Sequence, residues 1–208
     1  PPFKSGKSLA ELVREGVLSS DFEYISQEEL PLDRPLYLHQ QKAVENIVSR
    51  KRNAVVATGT GSGKTESFLI PIMDYLMKQK DCNGKISPGV RALLLYPMNA
   101  LANDQLGRLR ALLKDYPAIT FGRFTGETLE GTLEAAEDFR NTNPDQEILP
   151  NELLSREEIR DKPPHILLTN YAMLEYLLLR PKDNELFDGV YADEWHFVVL
   201  DEAHTYNG

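Results

Sequence analysis

Cysteine and long apolar runs are what this chain most clearly lacks. Cys82 is the only cysteine among 208 residues, which excludes an intrachain disulfide and is typical of proteins in a reducing cytosol. His39, His165 and His196 show no metal-ligand spacing, which argues against a zinc site. No apolar run approaches the ~20 residues of a membrane-spanning helix, and the first residues lack the apolar core of a signal peptide. We therefore expect a cytoplasmic protein with no membrane partner.

Positive charge is also in deficit. The chain has 23 lysines and arginines against 32 aspartates and glutamates, a formal net charge of −9. No overall positive field attracts nucleic acid, so any contact with it must use local groups. The hydrophobic content of 41% and the charged content of 26% are ordinary for a globular domain.

A glycine-rich stretch, ATGTGSGKT at residues 57–65, is the strongest signal of chemistry. The apolar run at residues 54–57 predicts a buried strand before it, and SFLIPIMDYL predicts a helix after it. Glycines allow backbone conformations that a side chain would block, and the N–H groups of such a turn and helix start attract phosphate. Thr58 stands where the usual pattern begins with Gly, and a plain glycine-rich turn is the alternative. The residues expected to bind the nucleotide here are Thr60, Gly61, Ser62, Gly63, Lys64 and Thr65.

Two of these residues have individual roles in the prediction. Lys64 would neutralise the charge of the β- and γ-phosphates, and the Thr65 hydroxyl would bind Mg²⁺.

Four further apolar runs predict strands. They are RALLLY at 91–96, ITFGRF at 119–124, HILLT at 165–169 and HFVVLD at 196–201. Three are nearly continuously apolar, as in strands covered on both faces. Leucine spacing predicts helices between them, within residues 99–115 and 171–179. This alternation predicts an α/β fold, a mainly parallel sheet with helices on both faces.

The chain divides unevenly along its length. Residues 1–36 are predicted to be an N-terminal entry segment, in which Ser8 and Glu11 form a capping box before a short helix. Residues 37–208 are predicted to form the main lobe. Its least regular part, residues 127–164, is acidic and polar and predicts a surface insertion between two core strands.

The second strong signal, VVLDEAHTY at residues 198–206, places two carboxylates at the end of an apolar run. Open α/β sheets bind ligands at the carboxyl ends of their strands. Asp201 is therefore expected to hold Mg²⁺ through water, and Glu202 to activate the water that attacks a γ-phosphate. The alternative is a strand ending in a solvated acidic turn, which the upstream phosphate loop disfavours. Lys64, Asp201 and Glu202 are the expected catalytic residues.

These motifs and their spacing resemble the superfamily 2 DEAD/DEAH-box helicases and translocases, from about Leu36 onwards. The resemblance implies a RecA-like P-loop domain, the first of two lobes, with ATP and Mg²⁺ as cofactors. LYLHQQ is similar to the family's adenine-reading Q motif, which implies that Gln40 contacts adenine; Gln41 or a solvated helix start are the alternatives. His204 completes the DEAH string and is implied to couple the ATP site to the second lobe.

Three more stretches resemble the family's loops that line the groove for one nucleic-acid strand: YPMNALANDQ, RFTGET and LLTNYAML. Small hydroxyls, amides and backbone N–H groups bind phosphates without strong basic charge. Arg108 and Arg123 could supplement them, although a surface charge is the favoured interpretation of each arginine taken singly. An ordinary strand-to-helix turn is the alternative for each loop. The implied nucleic-acid-binding residues are Pro97, Asn99, Thr125, Gly126, Thr169 and Asn170.

Two longer phrases, SREEIRDKPPHILLTNYAMLEYLLLRP and DEAHTYNG, resemble the bacterial MrfA/Lhr-like branch, including the helicase of the DISARM anti-phage system. The resemblance implies an ATP hydrolase that couples turnover to movement along, or separation of, nucleic-acid strands. We expect DNA rather than RNA as the partner, and defence-system or repair proteins as further partners.

Two parts of the family pattern are absent: the second lobe with its arginine fingers, and the Ser-Ala-Thr motif after DEAH. In the family the strand after DEAH lies between the phosphate-loop strand and the DEAH strand. We therefore expect a first lobe that is incomplete at its C-terminus, a longer native protein, and no hydrolysis by these residues alone. A binding module without turnover is the alternative hypothesis. Gln40, the DEAH string and the lack of an Asn-Lys-x-Asp sequence disfavour a kinase or GTPase.

Overall fold

The computed structural model describes residues 4–59 and 61–206, and the chain divides into two compact units with a boundary between Gly84 and Lys85. The first unit contains β1 (Ser5–Ser8), α1 (Leu9–Arg14), β2 (Pro35–Tyr37), α2 (Leu38–Val44) and α3 (Lys64–Met77). The second contains β3 (Ala92–Tyr96), α4 (Asn99–Leu113), β4 (Phe121–Arg123), α5 (Thr132–Thr142), β5 (Glu152–Leu153), α6 (Arg156–Asp161), β6 (Ile166–Asn170), α7 (Tyr171–Leu179), α8 (Pro181–Asp188) and β7 (Phe197–Leu200). Short 3₁₀ segments lie at Ser20–Tyr24, Ala192–Glu194 and Ala203–Thr205, and a π-helical turn at Glu45–Ser49.

The first unit is built on local signals that the sequence already contains. The Oγ of Ser8 accepts a hydrogen bond from the Glu11 N–H at 3.2 Å, and the Glu11 carboxylate accepts one from the Ser8 N–H at 2.8 Å. This is the predicted capping box, and it starts α1. β1 and β2 pair antiparallel. The unit's buried apolar side chains include Leu9, Leu12, Phe22, Val44, Ile70, Ile72 and Leu76.

The predicted strand at residues 54–57 does not form. Residues 51–59 have no regular secondary structure, and Val55 is 96% exposed. Backbone groups of a strand need partners, and no described strand pairs with this run. The sequence-based prediction of a buried strand before the phosphate loop is therefore wrong for this structure.

The second unit is a parallel five-stranded sheet with helices. The strand order is β5-β4-β6-β3-β7, and every neighbouring pair is parallel. β3 and β6 form the centre, in register from Ala92 opposite Ile166 to Tyr96 opposite Asn170. Their burial on both faces confirms the prediction from their continuous apolar sequences. Among the described residues no helix has the length and apolar character to cross a bilayer.

β7 differs from the other strands predicted to be covered on both faces. Among the described strands it pairs only with β3, and Val198 and Leu200 are 64% and 54% exposed. β7 is thus a half-open edge among the described strands, and the prediction that this run is covered on both faces is wrong.

The polar segment at residues 127–164 is more than a surface insertion. It contributes β5, which pairs with β4 at the other edge of the sheet, and Ile159, which is fully buried. Asn151 is also buried, and its side-chain Nδ2 lies 2.9 Å from the Ile119 carbonyl and 3.2 Å from the Leu113 carbonyl. Buried polar groups need such partners, so this segment is part of the unit's core.

Candidate nucleotide and nucleic-acid site

The glycine-rich loop enters α3 through two left-handed residues. Gly61 has φ +72°, and Gly63, the residue just before α3, has φ +69°. L-residues avoid this conformation and glycine does not. Lys64 and Thr65 are the first residues of α3 and are partly exposed. The loop is therefore followed directly by a cation, a hydroxyl and the N-terminus of a 14-residue helix, which is a favourable sequence of groups for binding a phosphate.

The start of α2 holds this loop in place. Gln40 Nε2 donates to the Gly63 carbonyl at 2.8 Å, and the ring Nε2 of His39 lies 2.9 Å from the Ser62 carbonyl. Gln40 is only 4% exposed, and its Oε1 accepts from the Tyr37 N–H at 2.7 Å. Both ends of the Gln40 amide are thus engaged within the chain. Its expected contact with adenine stays a prediction.

The inside of the loop is closely packed. The hydroxyls of Thr58 and Ser62 are 2.6 Å apart, and Ser62 is buried. A Cβ at Gly63 would lie 2.4 Å from Gln40 Nε2 and 2.9 Å from a carboxylate oxygen of Glu66. Two features therefore disfavour any residue other than glycine at position 63: the left-handed backbone conformation and the lack of space for a Cβ atom. Thr60, an expected nucleotide contact, lies outside the described residues.

The DEAH carboxylates follow β7 directly, as predicted. The Asp201 N–H donates to the Leu95 carbonyl of β3 at 3.0 Å, and Asp201 Oδ1 accepts from the Glu202 N–H at 3.0 Å. Glu202 has φ +47° and ψ +48°, a left-handed conformation that costs a non-glycine residue roughly 1–3 kcal/mol. Its carbonyl accepts from the N–H and the hydroxyl of Thr205, each at 2.8 Å. These bonds stabilise the strained turn.

His204 lies beside Glu202 in this turn. Its Nδ1 is 3.4 Å from a Glu202 carboxylate oxygen, and its side chain is 76% exposed. The His204 imidazole is therefore exposed while it contacts the Glu202 side chain, so a further domain could contact it. The expected coupling role stays a prediction.

Two tyrosines near Asp201 were missed by the sequence reasoning. The hydroxyls of Tyr96 and Tyr206 are buried and have no hydrogen-bond partner among the described residues. Burial, with the charge of Asp201 adding to it, raises the pKa of Tyr206 to about 12 and also raises the pKa of Tyr96. Both phenols therefore stay protonated and provide O–H donors beside this carboxylate. The only available signal was that Tyr96 ends a strand and Tyr206 ends the motif.

The six residues expected to contact nucleic acid divide into two groups. Thr125 and Thr169 are fully buried; Thr169 Oγ1 donates to the Phe124 carbonyl at 2.6 Å, and the Thr125 N–H donates to Thr128 Oγ1 at 2.9 Å. Both stabilise loops from within. Pro97 and Asn170 are partly exposed and Gly126 is exposed.

Asn99 and Asn170 belong to a connected polar network. Asn170 Nδ2 donates to Asn99 Oδ1 at 2.6 Å, and Asn99 Nδ2 donates to Glu127 Oε1 at 3.0 Å. Arg123 Nη1 lies 3.1 Å from Glu127 Oε2. The network joins the loops after β3, β4 and β6 at the carboxyl end of the sheet. Glu127 is a further residue that sequence reasoning missed.

The described residues contain no group of three or more His, Cys, Asp or Glu side chains that would hold a metal alone. The oxygen donors expected for Mg²⁺, the Thr65 hydroxyl and the Asp201 carboxylate, are hard ligands of the kind Mg²⁺ prefers. Mg²⁺ commonly binds through one or two protein oxygens together with substrate phosphates, so each of these oxygens fits it by its chemistry, and the binding itself stays a prediction.

Comparison with known proteins identifies the class. The sequence profile described as DEAD/DEAH box helicase matches residues 37–208, which is most of the chain. The chain therefore belongs to the DEAD/DEAH box helicase family, as the motifs indicated.

Individual relatives extend this result. The chain is 31% identical to the Druantia protein DruE of Escherichia coli, over 100% of this chain and 16% of that protein. It is 31% identical to the ATP-dependent helicase Lhr-Core of Methanothermobacter thermautotrophicus, over 80% of this chain and 17% of the relative. These relatives confirm the expected likeness to Lhr-like helicases. The chain spans less than a fifth of the length of either.

A solved structure confirms the fold. The DUF1998 helicase MrfA bound to DNA and AMPPNP superposes with a TM-score of 0.65 at 24% identity, covering 100% of this chain and 23% of that one. The predicted α/β helicase-lobe architecture is therefore correct.

Proposed function

We propose that this chain is the ATP-binding lobe of a nucleic-acid-dependent ATPase that couples hydrolysis to movement along, or unwinding of, DNA. The reaction is ATP and water to ADP and phosphate. The observation that carries the proposal is Gly63, held in a left-handed conformation against Gln40 one residue before Lys64. A residue so constrained by backbone and by contacts fits a preorganised phosphate site.

In this proposal each polar group of the site has one role. Gly61, Ser62 and Gly63 surround the phosphates with backbone N–H groups, and Lys64 neutralises their charge. Glu202 orients the attacking water. Its strained turn, fixed by Thr205, sets the direction of that carboxylate.

Mg²⁺, when bound, neutralises phosphate charge as it develops. Thr65 and Asp201 are the residues that would hold it. Tyr96 and Tyr206 keep protonated hydroxyls near Asp201.

Nucleic acid would bind at the loops after β3, β4 and β6. The network of Asn99, Asn170 and Arg123 provides amide and guanidinium donors suited to phosphates, and Thr125 and Thr169 support it from within. DNA is the proposed partner because the MrfA structure is a DNA complex. The remaining proposals are a second RecA-like lobe in the same protein, which hydrolysis requires, a coupling role for His204, and defence or repair proteins as partners.

The test measures ATP turnover of the full-length protein with and without single-stranded DNA or RNA. We expect turnover that DNA stimulates and that Lys64→Ala abolishes. The matched control is Lys42→Ala on α2. Turnover that survives in Lys64→Ala, or that neither nucleic acid changes, would overturn the proposal.

A further inference from the structure

The Glu127 carboxylate lies among the groups proposed to bind a nucleic-acid backbone. Its Oε1 accepts from Asn99 Nδ2 at 3.0 Å, and its Oε2 lies 3.1 Å from Arg123 Nη1. An amide N–H and a guanidinium are also the donors that proteins use most often for phosphate oxygens. The carboxylate therefore satisfies the donors that an incoming phosphate would need.

The donors around Glu127 are positioned by the rest of the network. Asn99 Oδ1 accepts from Asn170, whose own Oδ1 accepts from the Met173 N–H at 2.7 Å at the start of α7. Arg123 also contacts Asn103 on α4. The hydrogen bond from Asn170 thus orients the side-chain amide of Asn99, and the NH₂ group of Asn99 donates to the Glu127 carboxylate.

The Glu127 carboxylate is replaceable. The Glu127 side chain is 52% exposed and that of Arg123 is 21% exposed, and a half-exposed ion pair of this kind contributes little to stability. A phosphate with comparable hydrogen bonds could displace it without breaking the hydrogen bonds of the buried Thr125 and Thr169.

We infer that Glu127 is a built-in competitor: its carboxylate takes the place of a backbone phosphate until a nucleic-acid strand displaces it. The inference rests on the proposed nucleic-acid binding. It gives Glu127 a regulatory role, because the carboxylate weakens binding of any strand and favours one whose phosphates reach Asn99 and Arg123 together.

The experiment measures binding of fluorescein-labelled oligothymidylate to the full-length protein by fluorescence anisotropy over a range of salt. Glu127→Gln keeps an acceptor for Asn99 and removes the charge. We expect about two- to fivefold tighter binding and a log–log salt slope steeper by up to about 0.7, because no displaced carboxylate remains beside the bound strand to take up a cation. Glu137→Gln, an exposed position on α5, removes the same charge elsewhere and is expected to have a smaller effect.

A double-variant test isolates Arg123. Arg123→Gln alone should weaken binding, and in that background Glu127→Gln should lose most of its gain. The inference would be overturned if the wild-type protein binds DNA but Glu127→Gln binds no more tightly than Glu137→Gln, or binds more weakly than the wild type. Either result would leave the proposed function intact. No binding by the wild-type protein would instead overturn the proposed function, and the inference with it.

Discussion

Gln40 Nε2 donates a hydrogen bond to the Gly63 carbonyl at 2.8 Å, which ties the first turn of α2 to the end of the phosphate loop. Gln40 is buried, and its Oε1 is occupied by the Tyr37 N–H. The amide therefore orients the loop that would bind the phosphates.

This contact predicts how Gln40→Ala acts. A hydrogen bond of this kind contributes about 1 kcal/mol, so the Kd of ATP should rise roughly fivefold. GTP should lose affinity by a similar factor, because the loop binds phosphates and not the base. Titration of both nucleotides checks this. Gln41→Ala is the control, since the hydrogen bonds of the Gln41 side chain among the described residues join it to Lys7 and Glu45. A loss confined to ATP would show that Gln40 reads adenine instead.

The loop glycines predict a ranked series. Gly63→Ala meets both a positive φ and a Cβ only 2.4 Å from Gln40 Nε2, Gly61→Ala meets only the positive φ, and Gly59→Ala meets neither. A left-handed L-residue costs about 1–2 kcal/mol, so Gly61→Ala should weaken ATP binding about tenfold. Gly63→Ala should weaken it more, and Gly59→Ala little. Isothermal titration measures the three affinities, and an equal effect at Gly59 and Gly63 would contradict this account.

Glu202→Gln should keep ATP binding and abolish turnover in the full-length protein. The change preserves the size and strained position of the side chain while removing the base that activates water. Rapid-quench ATPase assays and nucleotide titration separate the two properties. Glu175→Gln, an exposed position on α7, is the control for the loss of one charge. Undiminished turnover in Glu202→Gln would remove the proposed role.

His165 should make the second unit sensitive to acid. Burial, with Arg91 adding to the effect, lowers the pKa of His165 to about 4. Its Nδ1 accepts from the Thr120 N–H at 2.9 Å, and its Nε2 lies 3.0 Å from the Ser87 carbonyl. The neutral ring is therefore the form that the fold requires, with the proton on Nε2.

The sign of the pH effect follows from this shift. Since the folded pKa lies below the unfolded value of about 6.5, the stabilisation is fully present above that pH. It is lost as the pH falls toward 4, up to about 3 kcal/mol. Amide hydrogen exchange of β6 in the full-length protein, corrected for intrinsic rates, should show the loss between pH 7 and pH 5. His165→Gln keeps a donor and an acceptor but does not titrate, and should remove the pH dependence. An equal decrease in both proteins would exclude His165 as the cause.

Local signals in the sequence predicted much of the fold. β3 and β6 are continuous apolar runs, α4 and α7 follow leucine spacing, and the capping box at Ser8 needs only residues within one turn of each other. Such features depend on near neighbours, so a single sequence is sufficient to find them.

Features that depend on distant neighbours were not predictable in this way. The apolar run at residues 54–57 has the composition of a strand, but pairing decides whether it becomes one, and no described strand pairs with it. β5 has only two residues, too few for any periodicity. The polar composition around Asn151 predicts exposure to solvent. Asn151 is nevertheless buried, because three backbone carbonyls accept hydrogen bonds from its side chain.

The candidate site shows the same division. The positions around Lys64 and Asp201 follow from motifs in which neighbouring residues act together. The roles of Glu127 and Tyr96 could not be predicted, because a glutamate in a polar loop and a tyrosine at a strand end belong to no recognisable motif. Only the sheet, by bringing the ends of β3, β4 and β6 together, shows what they contact.

The half-open edge of β7 has a practical consequence for handling this protein. A strand that is open on one side among the described residues, with exposed Val198 and Leu200, is a template for pairing between molecules. A preparation of the 208-residue chain alone should aggregate when it is concentrated. A measurement on such a preparation would report association between copies instead of the behaviour of one lobe.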